Sequence, residues 1–146
     1  MKFNIVFLAA CLMAAGPAFS ESHGPSGDAE AGKMAFRQCT ACHVVVNDAG
    51  ETLAGRNART GPNLYGIAGQ AAGAVEGFRY SSAMQEAAEA GVVWTEENFV
   101  DYVQGPTAFV RQATGDSGAR SKMTYRVRDA QEARDLYAYL ASLSAE

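Results

Sequence analysis

Two cysteines three residues apart, followed directly by a histidine, limit the possible folds of this chain more than any other segment. They are Cys39, Cys42 and His43, in the sequence CTACH. A C-x-x-C-H motif is typical of covalent haem attachment. On a helical turn the two thiols can reach the two vinyl groups at one edge of the ring, and the next side chain can place its imidazole under the iron. The motif therefore predicts one haem c per chain, attached through two thioethers, with His43 as a ligand of the iron.

The same motif has two other uses. A C-x-x-C pair can be a thioredoxin-like dithiol, but that use expects a βαβ context, and no such pattern is visible. A zinc site needs about four ligands, whereas the chain after residue 20 holds only His23, His43, Cys39 and Cys42 as histidines and cysteines. A dithiol protein without haem and a zinc protein therefore remain as alternatives to haem attachment.

The sixth position of the iron has three candidate methionines after residue 20, namely Met34, Met84 and Met123. Met34 and Met84 fall on predicted helices, where a core or surface role is the simpler interpretation. The other histidine, His23, lies in a polar segment before the first helix. Met123 lies in an irregular segment 80 residues after His43, so a loop can bring it to the opposite face of the ring. We therefore predict Met123 as the second axial ligand, and His/Met ligation raises the reduction potential.

Short helices separated by long loops are the predicted architecture. Four cap signals precede helices, at Asp28, Ser82, Thr95 and Asp129, and a further short helix is predicted at 106–113. Residues 43–77 hold seven glycines and one proline without a sustained helical period, and no strand pattern stands out. Such a long loop is unusual in a compact domain unless it wraps something that supplies the missing core. The sequence thus predicts an all-α domain at residues 28–146, with short helices and long loops wrapped around one covalently bound haem.

The first twenty residues have the pattern of a cleaved signal peptide. Lys2 gives a positive start, residues 5–15 are almost wholly apolar, and residues 18–20 offer small side chains at a cleavage site. We place the cut after Ser20, with Ala18 as the alternative. The apolar run is too short to span a bilayer, so the mature protein is predicted to be soluble, exported to the periplasm and without stable membrane insertion.

A lipoprotein signal is the alternative interpretation of this terminus, because small residues precede Cys11. A cut there leaves only about six apolar residues before it, below the usual ~7–15, and the apolar run continues past Cys11. Residues 21–27 are polar and contain glycine, proline and serine, so we predict a flexible tail before the domain.

Further short motifs follow the cysteine pair in a fixed order. They are GPNLYG at 61–66, GFRY at 77–80, Trp94, Tyr102, Gly105-Pro106, KMTY at 122–125 and DLYAYL at 135–140. Together with CTACH, these motifs resemble the class I cytochrome c family, and most closely the cytochrome c2 subgroup of purple bacteria. The resemblance covers nearly all of residues 28–143 and implies the class I cytochrome c fold.

The resemblance also implies roles for residues near the haem. The backbone carbonyl of Pro62 should accept a hydrogen bond from the free ring nitrogen of His43, which fixes the tautomer of the ligand. Tyr80 and Trp94 should hydrogen-bond a haem propionate, although an aromatic core is the simpler interpretation of both. Tyr102 should reach the sulfur of the predicted methionine ligand.

The family pattern places Gly32, Phe36 and Tyr139 at a crossing of the first and last helices. Two positions depart from it. Gln70 stands where family members often have an arginine that helps neutralise a propionate, and Tyr125 stands where an aromatic residue, commonly phenylalanine, covers the haem edge.

With both axial positions filled, the iron has no open site for a substrate, so the predicted function is single-electron transfer. The resemblance implies a monomer that shuttles electrons from a cytochrome bc1 complex to a photosynthetic reaction centre or to cytochrome c oxidase. An open-site haem enzyme, a peroxidase or a gas binder, is the alternative. Firm ligation by Met123 distinguishes the carrier from the enzyme.

Charge is distributed unevenly along the chain. The net charge is −4, which gives no indication of nucleic-acid binding. Residues 81–101 hold five acids and no base, whereas residues 105–128 hold one acid, Asp116, and five bases, which are Arg111, Arg120, Lys122, Arg126 and Arg128. We hypothesise a positive patch around the haem edge that steers acidic partners.

Overall fold

The computed structural model describes residues 24–145 as five α-helices, a 3₁₀ turn and a two-stranded sheet joined by long loops. The helices are α1 (Ala29–Ala35), α2 (Ser82–Glu89), α3 (Glu96–Gln104), α4 (Pro106–Thr114) and α5 (Ala130–Ser142), and the 3₁₀ turn Phe36–Gln38 follows α1 directly. The helical architecture confirms the predicted all-α class. The predicted signal peptide at 1–20, Cys11 and His23 lie outside the described residues.

Polar caps begin most of these helices. Three predicted caps are confirmed, because the side chains of Asp28, Thr95 and Asp129 each accept a hydrogen bond from a backbone N–H of the first turn. The prediction for α2 is wrong by one residue. Ser81 is the cap, and its hydroxyl accepts from the backbone N–H of Met84 at 3.2 Å, while Ser82 is the first helical residue.

Helices α1 and α5 cross in direct contact. A Cβ atom on Gly32 would lie 1.9 Å from the carbonyl oxygen of Asp135 and 2.8 Å from Cβ of Tyr139. One turn later, the rings of Phe36 and Tyr139 lie with their centroids 5.6 Å apart. The predicted crossing is therefore present, and it brings the residues that precede Cys39 against the last helix.

The chain enters α1 along α3 and α5. The backbone N–H of Ser26 donates to the carboxylate of Glu96 at 2.8 Å. A Cβ atom on Gly27 would lie 2.3 Å from the backbone of Arg134. Ser26 and Gly27, which end the predicted tail, thus contact the helices.

A small antiparallel sheet interrupts the long loop after His43. It pairs β1 (Val45–Val46) with β2 (Thr52–Ala54). The side chain of Asn63 continues the pairing, because Oδ1 accepts from the N–H of Val46 at 2.9 Å and Nδ2 donates to the carbonyl of Val46 at 2.8 Å. No strand was expected from the sequence, and the sheet positions the segment that contains Pro62.

None of the helices between residues 24 and 145 combines the length and the apolar character that a bilayer crossing requires.

Candidate functional site

A largely apolar cavity lies at the centre of the helices and loops. Its walls include Met84 of α2, Phe99 of α3 and Leu136 of α5. All eight residues predicted from the sequence line this one cavity: Cys39, Cys42, His43, Pro62, Tyr80, Trp94, Tyr102 and Met123. The fold therefore brings together side chains that are up to 84 residues apart in the sequence.

Cys39 and Cys42 lie on one helical turn at the cavity edge. The backbone N–H groups of Cys42 and His43 both donate to the carbonyl of Cys39, at 3.1 and 2.9 Å. Both cysteines are free thiols. Burial raises the pKa of the Cys39 thiol to about 11, with a smaller contribution from the negative charge of Glu132. The two thiols are thus available for covalent attachment rather than joined in a disulfide.

His43 points a ring nitrogen at a backbone carbonyl. Its Nδ1 lies 2.9 Å from the carbonyl oxygen of Pro62, so the hydrogen bond implied by the family resemblance is present. A carbonyl can only accept, so Nδ1 carries the proton and Nε2 keeps a free lone pair. Burial lowers the pKa of His43, although the bond to Pro62 opposes this shift. The ring is therefore neutral and oriented as a metal ligand requires.

Gly61 leaves the space in which the His43 ring lies. A Cβ atom at this position would be 2.3 Å from Cε1 and 2.6 Å from Nδ1 of the ring. The backbone N–H of Gly61 also donates to the carbonyl of Cys42 at 2.7 Å. No role was expected for Gly61 from the sequence, although its place directly before Pro62 was a usable signal.

The segment that carries Met123 is fixed at both ends. We call residues 119–127 the Met123 loop. At its start the Nε of Arg111 donates to the carbonyl of Ala119 at 3.0 Å, and at its end the N–H of Val127 donates to the carbonyl of Val103 at 2.9 Å. Helices α3 and α4 therefore hold the loop over the cavity.

Ser121 links two residues of the site, a role that was not expected from the sequence. Its Oγ lies 3.0 Å from the hydroxyl of Tyr102 and accepts a hydrogen bond from the backbone N–H of Met123 at 3.1 Å. Tyr102 thus reaches Met123 through Ser121. Its expected contact with the sulfur atom stays a prediction. A serine in an irregular segment has no pattern that would have identified it.

Aromatic side chains form one wall of the cavity. The ring of Trp94 is buried, with the rings of Tyr102 and Phe109 at centroid distances of 5.0 and 6.0 Å. The hydroxyl of Tyr80 accepts from the backbone N–H of Val75 at 3.3 Å. That Tyr80 and Trp94 bind a propionate stays a prediction.

Of the other methionines, one remains as an alternative to Met123 for the second axial position of the iron. Met34 is 56% exposed and does not line the cavity, whereas Met84 is buried and does. Across residues 24–145, no three side chains among histidine, cysteine, aspartate and glutamate cluster as a metal site would require. Met84 is therefore the alternative that an experiment must separate from Met123.

The residues of the cavity fit a covalently attached haem. Two thiols lie together at one edge, a neutral imidazole with a free Nε2 follows them, a thioether sulfur is available on the Met123 loop, and the remaining walls are mostly apolar. A nitrogen and a thioether are the axial donors of cytochromes c.

Four basic side chains lie on the Met123 loop or directly after it. Arg120, Lys122, Arg126 and Arg128 are exposed. Among the residues that the structure describes, a single ion pair occurs, between Arg134 and Glu96 at 4.0 Å. The charges on the Met123 loop are therefore not neutralised by ion pairs within residues 24–145.

The chain is similar to curated proteins of one kind. It is 63% identical to cytochrome c2 of Rhodovulum adriaticum over 118 residues, which are 81% of this chain and 94% of that protein. It is 47% identical to cytochrome c2 of Cereibacter sphaeroides over 146 residues, which are 99% of this chain and 98% of that protein. No protein-family model matches the chain.

The chain is also similar to solved structures of the same kind of protein. The X-ray structure of cytochrome c2 from Rhodobacter sphaeroides superposes with a TM-score of 0.80 at 48% identity, covering 83% of this chain and 99% of that one. The structure of ferric cytochrome c-550 from Paracoccus versutus gives a TM-score of 0.76 at 39% identity, covering 82% and 99%.

Proposed function

Because the chain belongs to the cytochrome c2 family of class I cytochromes c, we propose that it is a periplasmic single-electron carrier whose haem c is attached to Cys39 and Cys42 and ligated by His43 and Met123. Members of the family carry one covalently bound haem c and transfer electrons rather than act as enzymes. The haem supplies a one-electron couple.

The residues of the chain supply ligation and a dry, fixed environment. The carbonyl of Pro62 holds His43 with Nε2 free. Ser121 holds the backbone of Met123, and the apolar walls exclude water from the ring. A site that changes little between the two oxidation states exchanges electrons quickly. The observation that carries the proposal is that all eight predicted residues line one cavity.

The proposed partners are a cytochrome bc1 complex as donor and a photosynthetic reaction centre or cytochrome c oxidase as acceptor. The exposed basic residues around the Met123 loop support docking to acidic surfaces. The signal-peptide pattern of residues 1–20 supports export to the periplasm.

Visible spectra of two methionine variants test the ligand assignment. The oxidised wild-type protein should show the weak far-red band that is typical of methionine-to-iron coordination. Met123→Leu should lose this band, whereas Met84→Leu, which conserves the volume of a buried side chain, should keep it.

Each other outcome contradicts part of the proposal. A band that is lost in Met84→Leu would assign the ligand to Met84. A haem spectrum without the band in the wild type would indicate an open site on the iron. A colourless protein would indicate that Cys39 and Cys42 form a redox dithiol without haem.

A further inference from the structure

Three side chains form a hydrogen-bonded relay at the edge of the cavity. The hydroxyl of Tyr125 donates to Oε1 of Gln38, and Nε2 of Gln38 donates to Oε1 of Glu132. The partners are 87 and 94 residues apart in the sequence. The relay thus joins the Met123 loop, the 3₁₀ turn and the first turn of α5.

The relay lies between the segment that carries the two cysteines and the Met123 loop. Gln38 is the last residue of the 3₁₀ turn and directly precedes Cys39. Tyr125 follows Met123 by two residues, and both Gln38 and Tyr125 line the central cavity. Glu132 is held in turn, because its backbone N–H donates to the cap residue Asp129 at 2.9 Å.

The rest of this part of the Met123 loop has few attachments. The N–H of Met123 bonds to Ser121 and the N–H of Val127 bonds to Val103. Between them, residues 124–126 are exposed, and within residues 24–145 the Tyr125 hydroxyl supplies the hydrogen bond that ties them to the fold. One bond of this kind contributes little to global stability, so its effect is expected in the movement of this short segment.

We propose that Tyr125, Gln38 and Glu132 are positioning residues. They hold residues 124–126 of the Met123 loop against the segment that carries the two cysteines. Lys122, just before Met123, is tied by its own bond, because its Nζ donates to the carbonyl of Arg79 at 2.6 Å. The relay therefore keeps Met123 at the cavity when the loop would otherwise open between Met123 and Val127. This inference rests on the proposed function, because it assigns the relay to the loop of the predicted iron ligand.

Amide hydrogen exchange in the haem-loaded protein tests the relay directly. Tyr125→Phe keeps the ring and removes the hydroxyl, and Gln38→Ala removes both bonds. Each should accelerate exchange of the Met123 and Val127 amides about two- to tenfold, the range that one net hydrogen bond supports. The double variant should exchange no faster than Gln38→Ala alone, because both changes break the same link.

Three further variants separate the effect of the relay from general damage to the fold. Glu132→Gln keeps an acceptor for Gln38 and should exchange like the wild type, whereas Glu132→Ala should lie between the wild type and Gln38→Ala. Tyr65→Phe is the matched control, since the Tyr65 side chain is half-buried and its hydroxyl makes no hydrogen bond within the described part of the chain. It should leave both amides unchanged.

A spectroscopic measurement shows whether the relay positions the ligand. In the wild type and in Tyr65→Phe, the far-red band and the far-ultraviolet circular dichroism should disappear at the same denaturant concentration. In Tyr125→Phe the band should disappear at a lower concentration than the helices unfold.

The two proposals fail in different ways. Wild-type protein without the far-red band would overturn the assignment of Met123 as ligand, while the exchange rates would still test the relay. The relay would be overturned if Tyr125→Phe kept the wild-type exchange rates and lost the far-red band and the helices at the same denaturant concentration. It would also be overturned if Tyr65→Phe accelerated exchange as much as Tyr125→Phe, or if the double variant exchanged faster than Gln38→Ala alone.

Discussion

The position of the His43 imidazole depends on Gly61, a neighbour that has no side chain. The ring occupies the volume that a Cβ atom on Gly61 would fill, and its Nδ1 donates to the next residue, Pro62. Backbone and ring are therefore packed directly against each other, and neither can move without disturbing the hydrogen bond.

Gly61→Ala should displace the His43 ring and lower the free energy of unfolding by about 2 kcal/mol, as overpacking of a filled site typically does. Urea unfolding of the haem-loaded protein measures this loss. Gly24→Ala is the control, because a Cβ atom there meets nothing within 4 Å, and its effect should stay within about 0.5 kcal/mol. Equal stabilities of the two variants would show that the ring has room to move.

Helices α1 and α5 are in contact through backbone as well as side chains at their crossing. Gly32 allows the approach, since the carbonyl of Asp135 lies where its side chain would begin. The residues that precede Cys39 follow directly from α1, so the distance between these helices sets where the attachment segment lies against α5.

Gly32→Ala should separate α1 from α5, because a backbone carbonyl 1.9 Å from the new Cβ atom cannot rotate away as a flexible side chain would. We expect a loss of about 3 kcal/mol in the free energy of unfolding. Ala31→Ser, on the exposed face of the same helix, should cost only about 0.5 kcal/mol from helix propensity. Thermal or urea unfolding of both variants decides the point.

Elements with strong local signals were predictable from the sequence. Caps such as Thr95 and Asp129 act on their own first turn, so the residues that form them are adjacent in the chain. The error at Ser82 arose because Ser81 offers the same hydroxyl one residue earlier. Local chemistry cannot distinguish two neighbouring serines whose backbone angles are set by tertiary contacts.

Elements built from distant residues were not predictable. Strand β1 has two residues, too few for an alternating pattern, and it depends on the side chain of Asn63. The ligand motif at the cysteines is local and was found, whereas Ser121 and Gln38 act only because folding brings Tyr102 and Tyr125 to them.

At the scale of the whole molecule, charge is separated despite the net value of −4. Four exposed bases, Arg120, Lys122, Arg126 and Arg128, lie on or directly after the Met123 loop, whereas exposed acids such as Glu86 and Glu89 lie on α2. Such a distribution steers a partner to one face of the molecule more than it strengthens the complex.

Electron transfer from the proposed donor, a cytochrome bc1 complex, should therefore slow as ionic strength rises. At low salt, Arg126→Gln should reduce the bimolecular rate about two- to tenfold, and the difference from the wild type should vanish at high salt. Lys33→Gln is the control, since this exposed lysine lies in α1. Stopped-flow rates at several salt concentrations measure the effect, and a rate that is independent of salt would contradict the hypothesis of a docking patch.

Stability should fall in alkaline solution. Burial raises the pKa of Tyr80, Tyr102, Tyr137 and Tyr139 above the ordinary value of 10.0. The unfolded chain therefore loses these protons at lower pH than the folded chain. Their contribution is fully present below pH 10 and is lost as the pH rises through the raised values.

Denaturant unfolding followed by circular dichroism at pH 7, 9 and above 10 measures this loss. The free energy of unfolding should be insensitive to these groups between pH 7 and 9 and should decrease above pH 10. Tyr102→Phe should show a smaller decrease than the wild type, and an unchanged decrease would mean that Tyr102 does not contribute.

Trp94 is the sole tryptophan of the chain, and its indole forms part of the cavity wall. Haem absorbs at the wavelengths at which indole emits, so an indole in the wall of a cavity that holds haem loses its excitation by energy transfer. The protein thus carries an intrinsic fluorescent reporter that is dark in the folded, haem-loaded state and becomes bright when the chain opens. Unfolding of the chain and loosening of the cavity can each be followed by the fluorescence of one native side chain, without a label.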